Sequence, residues 1–390
     1  MIIRRTNKYR LYSSKRDKHL HQQIDIAGII WNHALALQKR YYRLTGKYIN
    51  QHRLKGHIAR MRRTERFGYW QQVGSQAIQD VVERLDKAYQ RFFAYRRGEL
   101  GMKTGPPRFK KVKKYKSFTL KQAGWKLLGG NRIRLNGKNY KFALSRPIGG
   151  KIKTVTVKRD NAGRLFICFS VIEEVNHQVE VSTGKIGGFD FGLKTFLTDD
   201  EGGVYLSPEY LKASLSDIAR LNRQLARKQK GAGNWQKAKR QLAFAHDRIA
   251  NQRRDAHFKL AHQLCDDYDV LGFEDLNLGG MKKLWGRKVS DLGFSQFVLI
   301  LQHVARMRGK QVVKIGRWEA TSQTCSCCGH RQSIALRERV FACTECGLAI
   351  GRDHNAARNI RREAIALSGV GASTPSLEGV RRPPEVASLA

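Results

Sequence analysis

The chain has 390 residues and carries 74 Lys and Arg against 32 Asp and Glu, a formal net charge of +42. A hydrophobic content of 41% excludes gross disorder, and the length predicts two or three domains. A charge excess of this size repels itself unless a polyanion neutralises it, so nucleic acid is the expected partner.

The sequence contains no run of eighteen apolar residues and no long apolar stretch at its N-terminus, so we expect neither a membrane span nor a secretory signal. Four of the seven cysteines form two CxxC pairs, which leaves Cys168, Cys265 and Cys327. An odd count with CxxC pairing favours a reducing compartment and a metal site over a disulfide framework. The sequence therefore predicts a cytoplasmic protein.

The N-terminal third is predicted to be helical after an edge strand at residues 1–12. Two stripes of apolar residues recur at steps of three and four and favour a helix-to-helix core: Ala27, Ile30, Ala34, Leu37, Tyr41 and Leu44, then Ile78, Val81, Leu85, Ala88, Phe92 and Tyr95. The polar faces of these helices would be available to nucleic acid, and they carry Arg40, Arg43, Arg84 and Arg91.

The segment from residue 118 to 175 is predicted to form short strands, such as Ile152–Val157 and Leu165–Val171, after a helix-breaking Gly-Pro-Pro at 105–107. This pattern indicates a small, strongly basic β-barrel. Aromatic residues among the cations suit either base stacking or core packing, and the sequence leaves both open: Tyr115, Phe118, Trp125, Tyr140 and Phe142.

An α/β pattern begins at Ile186. Strand-like segments are predicted at Ile186–Thr198, Val270–Glu274 and Val312–Ile315. Helices are predicted as a hairpin over Leu211–Asp266, a helix over about 294–309 and another after Asp353. The last stretch, 369–390, is rich in Gly, Ser and Pro without periodicity, so we expect a flexible tail.

Three acids stand at positions typical of a catalytic metal site. Asp190 lies inside an apolar strand, Glu274 closes another, and Asp353 opens a helix. A carboxylate in such a strand is costly unless it is paired or metal-bound. Together the three would suit two Mg²⁺ ions that support phosphodiester hydrolysis. Neighbouring acids are interpreted as turn or surface groups: Asp199, Asp200, Glu201 and Asp275.

The two CxxC pairs predict a structural zinc ribbon. Cys325 and Cys328 are separated by fourteen residues from Cys343 and Cys346, and each pair is followed by Gly. This spacing matches a tetrahedral Zn²⁺ site whose four positions are all filled, so it would stabilise a small fold without catalysis. Cys327 is interpreted as a spare thiol.

His19-Leu20-His21 superficially matches the His-hydrophobe-His pair of nucleases that nick with a tyrosine. Its position among charged residues just before a helix favours surface histidines instead.

Several of these motifs together resemble the TnpB proteins, which bacterial and archaeal insertion sequences encode. The resemblance covers roughly residues 1–365 in order. The residues that carry it are Pro-Arg-Phe-Lys-Lys at 107–111, Gly-Phe-Asp-Phe-Gly-Leu-Lys at 188–194, Phe-Glu-Asp-Leu at 273–276, Thr-Ser-Gln-Thr-Cys-Ser-Cys-Cys-Gly at 321–329 and Arg-Asp-His-Asn-Ala-Ala-Arg-Asn-Ile at 352–360.

This resemblance implies an RNA-guided DNA endonuclease with an RNase H-like (RuvC) active site. A transposon-encoded omega RNA would act as guide, and the protein would read a short transposon-adjacent motif in double-stranded DNA as a monomer. Asp190, Glu274 and Asp353 would form the triad. The implied domains are a split wedge barrel (1–15 and 106–182), a helical recognition insert (16–105), the RuvC domain (183–320 and 351–368), an inserted zinc ribbon (321–350) and the tail (369–390).

Three other functions are alternatives for the same residues. A guided protein could bind DNA without cutting, but loss of a triad acid would be expected, and all three acids are present. A transposase could join strands with a carboxylate triad, but the nicking-tyrosine constellation is missing. An unguided resolvase would have no use for the basic regions that precede the nuclease.

Overall fold

The computed structural model describes residues 2–174, 183–276, 278–316, 319–335 and 337–369. The chain divides into two compact units. The first takes in the described residues up to 174 together with 229–243, and the second takes in 183–228 and the described residues from 244 onward. No helix in these ranges is long and apolar enough to cross a membrane. Apart from Gly369, the predicted tail lies outside the described residues.

The first unit combines three long helices with antiparallel strands. Its elements are β1 (Ile2–Arg10), α1 (Asp17–Thr45), α2 (Gln51–Met61), a 3-10 helix (Glu65–Val73), α3 (Ser75–Arg96), a 3-10 turn (Val112–Lys114), β2 (Ser117–Leu120), β3 (Trp125–Leu127), β4 (Arg132–Leu135), β5 (Lys138–Lys141), β6 (Lys151–Arg159) and β7 (Leu165–Glu174).

The strands of the first unit form two sheets around a shared core. One sheet has the order β1-β7-β6-β2 and the other β3-β4-β5, and a bridge between Leu11 and Phe142 joins them. β1 is the edge strand that the sequence predicts. The sequence predicts a small barrel, and the structure shows two sheets joined by one bridge. The strands do not form a closed barrel, because β2 and β3, both fully described, are not paired with each other.

Burial decides the role of the aromatic residues in this region. Tyr115, Phe118, Tyr140 and Phe142 are buried in the core that α1 and α3 share with the sheets. Trp125 is partly buried and donates from its indole nitrogen to the carbonyl oxygen of Lys121. Core packing is therefore the role of the four buried rings, whereas the role of the partly exposed Trp125 is not decided by burial alone.

Two further expectations about the helices are corrected. Arg84 is only partly exposed and is held by the protein: its guanidinium donates to the Ser117 carbonyl and the Thr119 hydroxyl, and it pairs with Asp80 at 2.7 Å. His19 and His21 lie inside α1 and are half-buried, so they are not surface histidines. Their helical position confirms that they do not form a strand-borne nicking motif.

The second unit is an α/β fold with a small β hairpin. Its elements are β8 (Ile186–Phe191), β9 (Leu197–Asp199), β10 (Val204–Tyr205), α4 (Tyr210–Ala213), α5 (Leu215–Ala226), α6 (Gly233–Asp267, which begins in the segment grouped with the first unit), β11 (Val270–Glu274), α7 (Leu278–Leu292), α8 (Phe294–Met307), β12 (Gln311–Ile315), β13 (Val340–Ala342), β14 (Ala349–Gly351) and α9 (Arg352–Ser368).

The main sheet of this unit is mixed, with strand order β10-β9-β8-β11-β12. β8, β11 and β12 are parallel, whereas β9 and β10 are antiparallel to their neighbours. The single strand predicted at Ile186–Thr198 is wrong, because the chain reverses direction between β8 and β9. The reversal brings the Thr195 carbonyl against Gly192, where a side chain would not fit.

Helix α9 sits directly on the sheet at two paired glycines. Gly188 of β8 and Gly272 of β11 are in register. A Cβ at Gly188 would overlap the backbone of Ala357 and Arg361, and one at Gly272 would lie 2.6 Å from the Cβ of Ala364. The absence of side chains at both positions therefore lets the helix approach the strands closely.

We predict that Gly188→Ala destabilises the second unit, because the added methyl group overlaps the α9 backbone, which cannot move aside as a side chain can. Overpacking typically costs about 1–3 kcal/mol, so the thermal midpoint should fall by roughly 5 °C or more. Gly286→Ala is the matched control, because a Cβ there meets nothing within 4 Å. Equal thermal midpoints for the two variants would contradict the close contact between the α9 backbone and Gly188.

Candidate active site and metal centre

Asp190 and Glu274 are neighbours on adjacent parallel strands. The register pairs Phe189 with Phe273, so the next residues along β8 and β11 are these two acids. Both acids lie two residues beyond the paired glycines, and alternate residues of a strand face the same side of the sheet. Asp190 and Glu274 therefore face α9 at the carboxyl ends of the strands, where α/β sheets commonly bind ligands.

Asp353 reaches the same edge from the helix. It lies in the first turn of α9, one turn before Ala357, whose backbone covers Gly188. One helical turn advances about 5.4 Å, close to the roughly 6.6 Å that two strand residues span. Because α9 runs back along β8, the helix start is brought near Asp190.

The electrostatics of the site reflect this convergence. Burial, together with repulsion from Glu274 and Asp353, raises the pKa of Asp190 to about 8, and the Phe191 backbone N–H and Arg352 oppose this only in part. Burial also raises the pKa of Glu274, opposed by a hydrogen bond from the Thr321 hydroxyl. A divalent cation bound among these acids would relieve the repulsion between them and favour their ionised forms.

The spacing of the acids bears on how many ions they could share. Within the described ranges, the four ribbon cysteines are the group whose ligand atoms all lie within 4.8 Å of one another, and the three acids do not form such a group. Two oxygens on one Mg²⁺ are at most about 4.2 Å apart, given bonds of about 2.1 Å. Two ions about 3.5–4 Å apart can be held by carboxylate oxygens that lie farther from one another than this. The three carboxylates therefore lie too far apart here to share a single ion.

Two acids that the sequence analysis assigned to turn or surface positions are buried. The carboxylate of Asp200 accepts from the Gly188 backbone N–H at 2.9 Å and pairs with Arg361 at 3.4 Å, so it ties β8 to α9. Asp199 accepts from the backbone N–H groups of Glu201 and Gly203 and is only 5% exposed. Asp200 does lie in the turn after β9, as predicted, but neither side chain is at the surface, because the turn folds both inward.

The four cysteines of the two CxxC pairs come together. The Sγ atoms of Cys325 and Cys346 are 3.6 Å apart, as are those of Cys328 and Cys343. Tetrahedral zinc with Zn–S bonds of about 2.3 Å places its sulfurs about 3.8 Å apart, so the spacing fits that ion. Cys327 is exposed and lies outside the group.

Each CxxC pair forms the same tight turn. Gly329 donates its N–H to the Cys325 carbonyl at 3.0 Å, and Gly347 donates to the Cys343 carbonyl at 3.1 Å. Both glycines have positive φ, 79° and 74°, which explains a Gly after each pair. Backbone N–H groups of Cys346 and Glu345 lower the pKa of the Cys343 thiol to about 6, which favours the thiolate that metals bind.

The chain leading into the first cysteine pair is fastened to α9 by contacts that the sequence analysis missed. Asn355 and Asn359 are buried and donate their side-chain amides to the carbonyls of Thr321 and Thr324. The signal available in the sequence was the four-residue spacing of the two asparagines, which places them on one face of a helix.

Two family models match the chain. One, described as "Cas12f1-like, TNB domain", matches residues 294–360, and the other, described as "Probable transposase" of the OrfB_IS605 type, matches residues 167–284. The first match ends just after Asn359, and the second contains both Asp190 and Glu274.

Curated relatives extend over most of the chain. A Streptomyces pristinaespiralis protein named "Putative RNA-guided DNA endonuclease" is 28% identical over 95% of this chain and 91% of its own length. An Escherichia coli K12 protein with the same description is 29% identical over 91% of this chain and 90% of its own. A TnpB-like protein of Acanthamoeba polyphaga mimivirus is 29% identical over 58% of this chain and 46% of its own. The predicted resemblance to TnpB proteins is confirmed.

One solved structure has a similar fold. The structure, titled "Cryo-EM structure of the Cas12f1-sgRNA-target DNA complex", aligns with a TM-score of 0.56 at 14% identity and covers 92% of this chain and 99% of that one. At this identity the likeness concerns the fold alone.

We predict that the metal-free protein loses stability as the pH rises. The folded pKa of Asp190, about 8, lies above the roughly 3.9 of an unfolded Asp, so the folded chain binds this proton more tightly. The resulting stabilisation is present below about pH 4 and is lost as the pH rises through 8. Asp190→Asn should therefore stabilise the metal-free protein by up to about 5 kcal/mol at pH 8 and have little effect at pH 4. Denaturant unfolding at both pH values, with EDTA present, measures this, and equal effects at both would refute it.

Proposed function

We propose that this chain is an RNA-guided DNA endonuclease that hydrolyses phosphodiester bonds in target DNA beside a transposon-adjacent motif. The observation that carries the proposal is the convergence of Asp190, Glu274 and Asp353 at the carboxyl edge of a mixed α/β sheet. The relatives named as RNA-guided DNA endonucleases support it. The sheet topology supports the RNase H-like (RuvC) architecture that the sequence predicts.

In this proposal the three acids hold two Mg²⁺ ions. Such ions, when bound, supply a nucleophilic hydroxide and neutralise charge on the leaving oxygen. The chain's own residues prepare the site. Burial raises the pKa of both Asp190 and Glu274, and repulsion from the neighbouring acids adds to the rise at Asp190, so a bound cation would be favoured there. The strand register fixes the two carboxylates side by side, and α9 supplies the third from its first turn.

We assign one structural Zn²⁺ to Cys325, Cys328, Cys343 and Cys346. The sulfur spacing and the duplicated CxxC turns support this assignment. Because four thiolates fill a tetrahedral site, the ion would stabilise the ribbon and take no part in cleavage. Phe341 packs with Cys325 and Cys343 in the small core of the ribbon, which is too small to be stable on hydrophobic burial alone.

Guide RNA and double-stranded DNA are the proposed partners. A net charge of +42 supplies the phosphate contacts that dominate nucleic-acid affinity. In the first unit, Tyr42 and Phe109 are exposed, and the Lys39 ammonium lies 5.0 Å from the centre of the Phe109 ring. An exposed ring beside a cation suits stacking on a base next to a phosphate, so these residues are better candidates than the buried aromatic residues.

We predict that Asp190→Ala in the complex with guide RNA lowers the DNA cleavage rate at least about a hundredfold, because metal-ion catalysis contributes several kcal/mol. RNA and DNA affinity should stay within a few-fold of wild type. The control is Asp255→Ala, which removes an acid whose side chain is 65% exposed on α6. Programmed plasmid cleavage and filter binding measure the two properties. Full activity of Asp190→Ala would exclude the proposed site, and lost binding would make this acid structural.

We predict that Cys343→Ser lowers the zinc content from about one ion per chain and lowers the thermal midpoint, because a tetrahedral site cannot close with three thiolates. Cys327→Ser is the matched control, because it removes a thiol from the same turn but outside the cluster. Elemental analysis of the purified proteins measures the zinc. Unchanged stoichiometry in Cys343→Ser would refute the assignment.

A further inference from the structure

The segment that joins the main sheet to the zinc-ribbon cysteines, residues 320–326, is called the neck here. It is a tight turn: the Gln323 and Thr324 N–H groups donate to the Ala320 carbonyl at 2.9 and 3.0 Å. Thr321 lies within this turn and is 5% exposed. The neck is therefore a compact turn in which Thr321 and Cys325 are buried, and its position depends on what its carbonyls contact.

Two amides of α9 determine that position. The Asn359 side-chain nitrogen donates to the Thr321 and Thr324 carbonyls at 2.8 and 2.7 Å, and the Asn355 nitrogen donates to the Thr324 carbonyl at 2.8 Å. The Asn355 side-chain oxygen accepts from the Ser326 N–H at 2.9 Å. Buried amides are costly without partners, so any shift of the neck would break several buried hydrogen bonds together.

The neck held in this way reaches an acid of the proposed active site. The Thr321 hydroxyl donates to the Oε1 atom of Glu274. Glu has three side-chain torsions to fix, and a hydrogen bond from a buried, held donor restricts them. No comparable contact comes from Thr324, whose hydroxyl donates to the Ala320 carbonyl.

We propose that Thr321 is a positioning residue that orients Glu274 for metal binding, and that Asn355 and Asn359 hold Thr321 in place. The inference rests on the proposed function, because Glu274 must be a metal ligand for its orientation to matter. It also gives the zinc ribbon a second role: the same helix that carries Asp353 holds the root of the ribbon against Glu274.

The test measures Mn²⁺ binding to the protein–guide RNA complex. Binding at the acid site is the part of the total Mn²⁺ binding that is lost in Glu274→Gln. Thr321→Val removes the hydroxyl while keeping the shape, and it should weaken this binding about 10- to 100-fold, as partners of metal ligands typically do. Thr321→Ser keeps the donor and should remain within about threefold of wild type. Thr324→Val is the matched control in the same turn and should bind Mn²⁺ like wild type.

Wild-type Mn²⁺ affinity in Thr321→Val would overturn the inference. An equal loss in Thr324→Val and Thr321→Val would also overturn it, because the fold of the neck, and not the Thr321 hydroxyl, would then be responsible. If Glu274→Gln binds Mn²⁺ as wild type does, the proposed acid site itself fails, which separates that failure from the failure of the inference. If Thr321→Val lowers the thermal midpoint, Thr321→Ser still tests the inference, because it changes the same side chain but keeps the hydroxyl donor.

A double-mutant cycle tests the part played by the asparagine. Asn359→Ala should weaken Mn²⁺ binding in the wild-type background and have little further effect when Thr321 is already Val, because both changes act through one contact. Additive losses would show that Asn359 does not act through Thr321.

Discussion

The close contact between α9 and two glycine-bearing strands is the constraint on which the rest of the second unit depends. A helix normally packs on a sheet through side chains, but here the helix backbone lies against Gly188, and Ala364 fits against Gly272. This contact fixes the helix along its axis as well as in height above the sheet. The distance from Asp353 to the strand acids is therefore set by backbone geometry, which tolerates little drift.

The same helix connects the two proposed metal sites. Its first turn carries Asp353, and its buried face carries Asn355 and Asn359, which hold the chain that enters the ribbon. Thr321 then returns to Glu274 on the sheet. The acids and the cysteine cluster are thus separate in chemistry but share one support, so the stability of the ribbon and the geometry of the acids are coupled through α9.

Sequence reasoning went furthest where chemistry leaves few choices. Val270–Glu274 is a strand with the predicted bounds, and the two CxxC pairs meet as their spacing requires. It was wrong where tertiary contacts decide: the alternation of apolar residues could not reveal the reversal after Phe191, and net charge could not show that Arg84 holds β2. Thr321 begins one of the sequence motifs, but its contact with Glu274 could not be predicted, because folding alone brings that partner to the hydroxyl.

The attachment of the ribbon has a consequence for how this region can vary. The ribbon leaves the core at the neck, which α9 holds, and it returns through β14, which runs directly into the first residue of α9. Both ends of the insertion are thus anchored on the same two helical turns. A module whose ends are anchored side by side can change in length at little entropic cost as long as both anchors are kept, since loop closure costs only about 0.6 kcal/mol per doubling of length. The site of attachment is therefore a natural place for grafting a different domain onto the second unit.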